Sequence, residues 1–273
     1  MPRRRLLGLA MAAGLGAAVV VTARADSVAD PVPVRREITT APADLAAYAA
    51  AVAALRRLPD TDPRSWAGQA RIHLDHGRHA SWLFFPWHRA YVYCFEQICR
   101  EVTGQPGFTL PYWDWTAHPQ LPAEFFNPTS PLYHPDRAIV AGSAADPGFV
   151  GPSAVRWILA EPNFLVFGGP PGDASYGPGY GLVEEGPHNY IHGFIGGSMD
   201  GFSSPLDPVF WLHHSRLDQL WSVWSRRHRN PDDAAWLESR FAEFVDTRGR
   251  PLSICVRDVV DLPGRAYRFN ALS

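Results

Sequence analysis

The segment PHNYIHG at residues 187 to 193 sets His188 and His192 four apart, and FWLHHSRLD at 210 to 218 brings His213 and His214 soon after. On a helix, two imidazoles at that spacing lie on one side about a turn apart, where both can reach one metal ion. His213 and His214 are adjacent, so their side chains diverge by roughly 100° and at most one easily joins the pair. Phe210, Leu217 and Trp221 share a stripe with His214 and favour it; His213 borders Leu217 and Leu220, which keeps that vote weak.

Of the 11 histidines, none falls before residue 73; His73, His76, His79 and His88 then form a second group, and His118, His134 and His228 are isolated. A lone i, i+4 pair is more often solvated than metal-bound. Two groups on strongly apolar helical sequence change that balance, because several buried imidazoles are costly unless something takes their lone pairs. Apart from Asp75, no Cys, Asp or Glu stands at ligand-like spacing, so each ion would be held by neutral imidazoles. Such a donor set suits zinc, copper, iron or nickel. Zinc has no redox chemistry to exploit two facing sites, and carboxylate-bridged di-iron bundles draw a Glu-x-x-His motif from each of two helices, a pairing not found here, which leaves copper as the best candidate.

The elements that must carry these residues are mostly helical. Pro42 to Leu58 is alanine-rich, with Leu45, Tyr48, Val52 and Leu55 at helical spacing and Pro59 as a stop. Residues 66 to 84 read as a helix up to a break before Pro86, which suits the first turn of a new one. On that next helix His88, Tyr91, Phe95, Cys99 and Val102 form one stripe. Gly104 to Gly186 is dense in Pro, Gly and aromatic residues, including LPYWDWT at 110 to 116, and reads as long loops with a short helical pattern near 153 to 160. A further helix should carry His188 and His192, and a long one should run from about Val209 to Arg227. The tail from Asp246 contains short β-like runs such as SICV. The expected fold is mainly α, a central four-helix bundle of two facing pairs with short peripheral strands.

Arg3 to Arg5, an apolar run from Leu6 to Val21 and the pattern Ala23-Arg24-Ala25 read as an export signal over residues 1–25, too short for a membrane span. The arginines fit the twin-arginine route. Residues 26–273 would then form one domain without a membrane span, placed outside the cell, in the periplasm or in the cell envelope. With 25 basic residues, all arginine, against 27 acidic ones, the chain is mildly acidic, which argues against nucleic-acid binding. Cys94, Cys99 and Cys255 are too few for a disulfide scaffold; Cys94 and Cys99 read as small core residues, and one bridge involving Cys255 stays open.

Taken together, QARIHLDHGRHASWLFFPWHRAYVYCFEQ at 69 to 97, LPYWDWT, PHNYIHGFIGGSM and SPLDPVFWLHHSRLDQLWSVW resemble the coupled binuclear copper proteins: tyrosinases, polyphenol and catechol oxidases, o-aminophenol oxidases and haemocyanins. The resemblance is to a compact bacterial form without the C-terminal shielding domain. It implies two copper ions, the first on His73, His79 and His88 and the second on His188, His192 and His214, with O₂ as co-substrate. The QARIH context favours His73 over His76, and His213 falls outside the ligand set. It further implies small phenolic substrates, hydroxylated ortho or oxidised from o-diphenol to o-quinone. A catechol oxidase, an o-aminophenol oxidase or, less in keeping, an oxygen carrier are the alternatives, and a separate copper-delivery protein is a possible partner.

Relatives often link a cysteine to the second histidine through a thioether. Here Gly77 stands about where that cysteine would be, so no crosslink is expected and His79 must be oriented by packing and hydrogen bonds. Asn189 and Glu184, with Glu185 as competitor, match the residues thought to hold a water that accepts the phenol proton. Phe202 is near, though one residue out from, the bulky gate over the second copper. Asp207, Arg89 and Asp218 are expected to fix the helices.

Overall fold

The computed structural model describes residues 32–172 and 177–271; the expected export signal at 1–25 and the boundary behind it lie outside the described residues. Helix α1, Pro42–Arg57, has proline at its start and buries Tyr48, Ala51, Val52 and Leu55. It ends at Leu58, whose extended backbone is what a following proline demands.

Helix α2 spans Trp66–His76, with the Ser65 hydroxyl accepting the Gly68 amide as its N-cap. It stops well short of residue 84. The apolar run Trp82 to Phe85 continues the helical pattern on paper, yet the chain turns back after Gly77. The turn contains Ala80 at φ 54°, a left-handed conformation that ends any α-helix.

Helix α3, Phe84–Thr103, begins two residues before Pro86 rather than at it. Proline is tolerated there because first-turn amides have no intrahelical acceptor. His88, Tyr91, Phe95 and Cys99 are buried on it, and Gly104 caps its end at φ 64°. Helix α4, Pro152–Leu159, is the short helix expected in the loop region.

Before helix α5, Asn189–Ile195, the chain makes one π-type turn over Glu184–His188, kinked at Gly186. Helix α6, Val209–Trp224, ends three residues earlier than expected and buries fifteen of its residues, from Val209 through Trp224. Helix α3 packs along α6 and against α1, and histidine rings from α2, α3, α5 and α6 meet between these helices.

Strands are short and peripheral. Strand β1, Val34–Arg35, pairs in parallel with β4, Arg268–Phe269, while β2, Arg240–Val245, pairs antiparallel with β3, Pro251–Cys255. The SICV run splits, its first three residues in β3 and Val256 opening a short helix, and β2 precedes the region where strand was expected. All three cysteines are buried free thiols, so no bridge forms with Cys255. Among the described residues no helix is long and apolar enough to cross a membrane.

Candidate metal centre

His73 sits in the last turn of α2, His79 in the loop after it and His88 one turn into α3, with ring centroids 5.1 to 5.6 Å apart. His188 closes the π-type turn, His192 lies on α5 and His214 on α6, with centroids 4.4 to 5.6 Å apart. In each triad one nitrogen per ring lies within 4.8 Å of the other two. The triads abut: His88 and His214 stack at 4.3 Å, and His79 and His188 stand 5.7 Å apart. His76 is exposed and turned out of the group.

Hydrogen bonding fixes which nitrogen is free. Nδ1 of His73 donates to the Phe202 carbonyl at 2.7 Å, that of His88 to the Phe84 carbonyl at 2.8 Å and that of His192 to the Met199 carbonyl at 2.5 Å. His188 Nδ1 donates to Asn189 Oδ1 at 2.9 Å. A carbonyl can only accept, so these rings carry their proton on Nδ1 and turn an unprotonated Nε2 inward. Nε2 of His73, His88 and His188 is buried without a hydrogen-bond partner, and His192 Nε2 meets only His214 Nε2 at 3.4 Å. Buried acceptors left unpaired are costly, and cations between them would satisfy them.

Burial also keeps the rings neutral. Desolvation pushes His73, His88, His188 and His214 well below the ordinary imidazole range, His79 down to about 3 and His192 down to about 4. Neutral imidazoles are what a metal needs, and no proton has to leave at physiological pH.

His213 is buried, and its Nδ1 accepts the Trp115 indole N–H at 3.3 Å, which accounts for that nitrogen without a metal. Asn189 lines the cleft over the triads together with Tyr180, Met199, Asp200, Gly201, Phe202 and Ser204; the cleft measures about 240 Å³. Glu184 is buried behind that wall, both carboxylate oxygens 2.8 and 2.9 Å from the Ala80 amide, and desolvation pushes its carboxyl up to about 8. Glu185 is exposed, so the Glu-x-x-His spelling it makes with His188 brings no carboxylate to the centre. The Phe202 ring stands against His73 and His79, 5.7 and 5.2 Å away, whereas the resemblance puts a gate over the second triad.

The pseudo-Cβ of Gly77 would stand 3.1 Å from His79 Cε1, so a side chain at this position would touch that ring. Arg89 Nε donates to Asp218 at 2.6 Å, joining α3 to α6, and Asp207 is gripped by Arg137 through two bonds of 2.7 Å. Sequence reading missed Arg35, which reaches Asp218 at 2.9 Å from β1. It also missed the carbonyls of Phe202 and Met199, for which side-chain identity gives no signal.

Known proteins with this arrangement are readily found. The family model described as the common central domain of tyrosinase matches residues 61–148 and 154–227, segments that hold all six histidines. A latent chloroplastic polyphenol oxidase of Prunus armeniaca is 30% identical over 83% of this chain and 46% of its own length. A tyrosinase of Hahella sp. is 33% identical over 67% of the chain and 45% of its own length. The solved structure of latent apple tyrosinase superposes with a TM-score of 0.83 at 27% identity, covering 94% of this chain and 65% of that one. The chain spans about half the length of the curated relatives it matches. With the family model covering more than half of the residues, and six neutral imidazoles fitting a pair of copper ions, the chain belongs to the tyrosinase family.

Proposed function

We propose that this chain is a copper-dependent phenol oxidase that uses O₂ to convert o-diphenols to o-quinones, with ortho-hydroxylation of monophenols as a second activity. The observation that carries this reading is the pair of abutting histidine triads, in which the inward Nε2 of His73, His88 and His188 is buried and unpaired. His73, His79 and His88 would hold one copper and His188, His192 and His214 the other. When bound, the copper pair would supply the redox chemistry, relaying to O₂ the four electrons that take it to two waters from two o-diphenols, each of which gives up two electrons and two protons on becoming an o-quinone.

The chain supplies placement. The cleft is small and suits a single aromatic ring, with imidazole edges at its floor and Tyr180 and Phe202 at its mouth to stack on that ring. The carbonyls behind His73, His88 and His192 hold three rings in one orientation, so little rearrangement is needed as substrate enters. Hydroxylation needs in addition an acceptor for the phenol proton. Asn189 at the wall and Glu184 behind it are the pair that would hold a proton-accepting water.

The test is a lag-resolved assay of a monophenol, a catechol and an o-aminophenol on copper-loaded protein. Catechol turnover is expected, and monophenol turnover should fall with Asn189→Ala more than catechol turnover does. Reversible O₂ uptake with no turnover of any of the three would sink the oxidase reading and leave the oxygen carrier.

A further inference from the structure

The ligand imidazoles differ in what fixes their direction. His73, His88, His188 and His192 donate through Nδ1 to oxygen acceptors. His214 has no partner on Nδ1, yet it stands on the long helix α6 with its ring against His88 at 4.3 Å and Phe210 at 4.2 Å. His79 lies in a loop and its Nδ1 has no hydrogen-bond partner; its ring is held by a backbone hydrogen bond at Gly77 and by the rings of His73, His88 and Phe202, 5.1 to 5.2 Å away.

None of these contacts is a hydrogen bond to another side chain, so the aim of His79 depends also on the backbone that carries it. Ala80, next in the chain, is the one non-glycine with positive φ among the described residues, at 54°. That conformation persists only where the surroundings impose it. The Ala80 amide donates to Glu184 Oε1 and Oε2 at 2.8 and 2.9 Å, and the His79 and Ala80 carbonyls accept from Gly177 and Gly179 at 2.9 and 3.0 Å. The two glycine bonds come from a neighbouring loop, whereas Glu184 stands at the start of the turn that ends in His188. That turn is π-type and kinked at Gly186 (φ −83°, ψ −105°), and it turns Glu184 to Ala80 while His188 faces the cleft.

We propose that Glu184 is a positioning residue for the first copper: its carboxyl oxygens clamp the Ala80 amide, hold the left-handed turn and so aim His79, and they tie that turn to the segment carrying the second copper's His188. The inference rests on the six histidines being copper ligands, and it holds whichever phenol is oxidised. A water-holding task for Glu184 needs a carboxylate; the clamp needs only an acceptor of the right reach.

Copper per molecule and its release rate into a chelator are measured for the copper-loaded wild type, Glu184→Gln, Glu184→Leu and Glu184→Asp, without recourse to activity. Wild type and Glu184→Gln should hold two coppers with similar release. Glu184→Leu should lose one of the two at least tenfold faster, and Ala80→Gly added to it, which removes the left-handed penalty, should restore part of the retention. Glu184→Asp, shortened by one methylene and conservative enough to fold, should release one copper several-fold faster. Wild-type release from Glu184→Asp or Glu184→Leu would overturn the clamp, as would Glu184→Gln behaving like Glu184→Leu. A wild type that binds no second copper would instead overturn the dicopper reading itself.

Discussion

At the scale of single residues, the ligand set predicts a loss that comes in whole atoms. His88→Ala or His214→Ala leaves a triad with two donors, so copper should fall from two to one per molecule with a drop in phenol oxidation of more than about 100-fold, beyond what loss of a supporting group costs. Two coppers and full rate in either variant would contradict the assignment. Gly77 makes a sharper case, because it touches the site with no side chain at all. A Cβ there would stand 2.9 Å from the His73 carbonyl, 3.1 Å from His79 Cε1 and 3.2 Å from His73 Cδ2. Gly77→Ala should therefore move two ligands and weaken copper binding by about 10- to 100-fold, whereas Gly107→Ala, with open space around its Cβ, should not. Equal copper affinity in the two variants would refute that steric reading. The same buried rings set a pH dependence. Desolvation holds His192 near 4 and His79 near 3, below the 6.5 of a free imidazole, so the unfolded chain binds more protons in between. Stability of the copper-free protein is then fully present above about pH 6.5 and is lost as pH falls toward 4. Thermal melts from pH 7 to pH 4 should show Tm falling steadily, and a flat profile would mean that the rings are not buried as neutral bases.

At the scale of elements, the ligands depend on turns as much as on helices. Gly196 and Gly197 have φ of 67° and 58°, and a Cβ on Gly197 would meet the Asp136 carbonyl at 2.2 Å. This tight turn leads to Met199, whose carbonyl orients His192. Gly197→Ala should cost about 1–2 kcal/mol from the left-handed backbone alone and should weaken retention of the second copper without touching a ligand. Chelator release unchanged from wild type would show that the turn does not govern His192. Turns of this kind explain what could and could not be read in advance. Helices α1 and α6 were legible because their apolar residues repeat at helical spacing against caps and prolines, and the position of His214 followed with α6. The end of α2 was not, since Trp82 to Phe85 prolong the apolar pattern past a break that only Gly77 hints at. Glu184 could be named from family resemblance, but its partner Ala80 lies 104 positions away and is met through a backbone amide, which carries no sequence signature. Strand β2 was missed for a related reason: its pairing with β3 supplies the order, while its own alternation is short and interrupted between Phe241 and Phe244.

At the scale of the whole molecule, one buried carboxylate joins both ends of the described fold to the central helices. Asp218 on α6 accepts from Arg89 of α3 at 2.6 Å, from Arg35 of β1 at 2.9 Å and from the Tyr267 hydroxyl ahead of β4. Arg35 also reaches Glu96 of α3 at 2.8 Å, and β1 pairs with β4, so both ends of the described fold close on the same point. The knot lies beside the metal centre in sequence and space: Arg89 follows His88, and Asp218 stands one turn beyond His214. Holding α3 to α6 here also holds the 4.3 Å stack of His88 on His214 that joins the two triads. Removing the shared charge leaves two buried guanidinium groups short of a partner, a loss of about 3–5 kcal/mol by the usual cost of breaking a buried pair. Asp218→Asn should therefore lower Tm by about 6–20 °C for a chain of this size, and release of copper to a chelator should quicken in the same variant. Arg250→Ala, which breaks an ion pair whose arginine is 67% exposed, should change stability by no more than about 1 kcal/mol. If the two variants melt together, the knot is not what closes the fold; if Asp218→Asn melts early yet keeps its copper at the wild-type rate, the bundle holds its ligand helices by apolar packing alone.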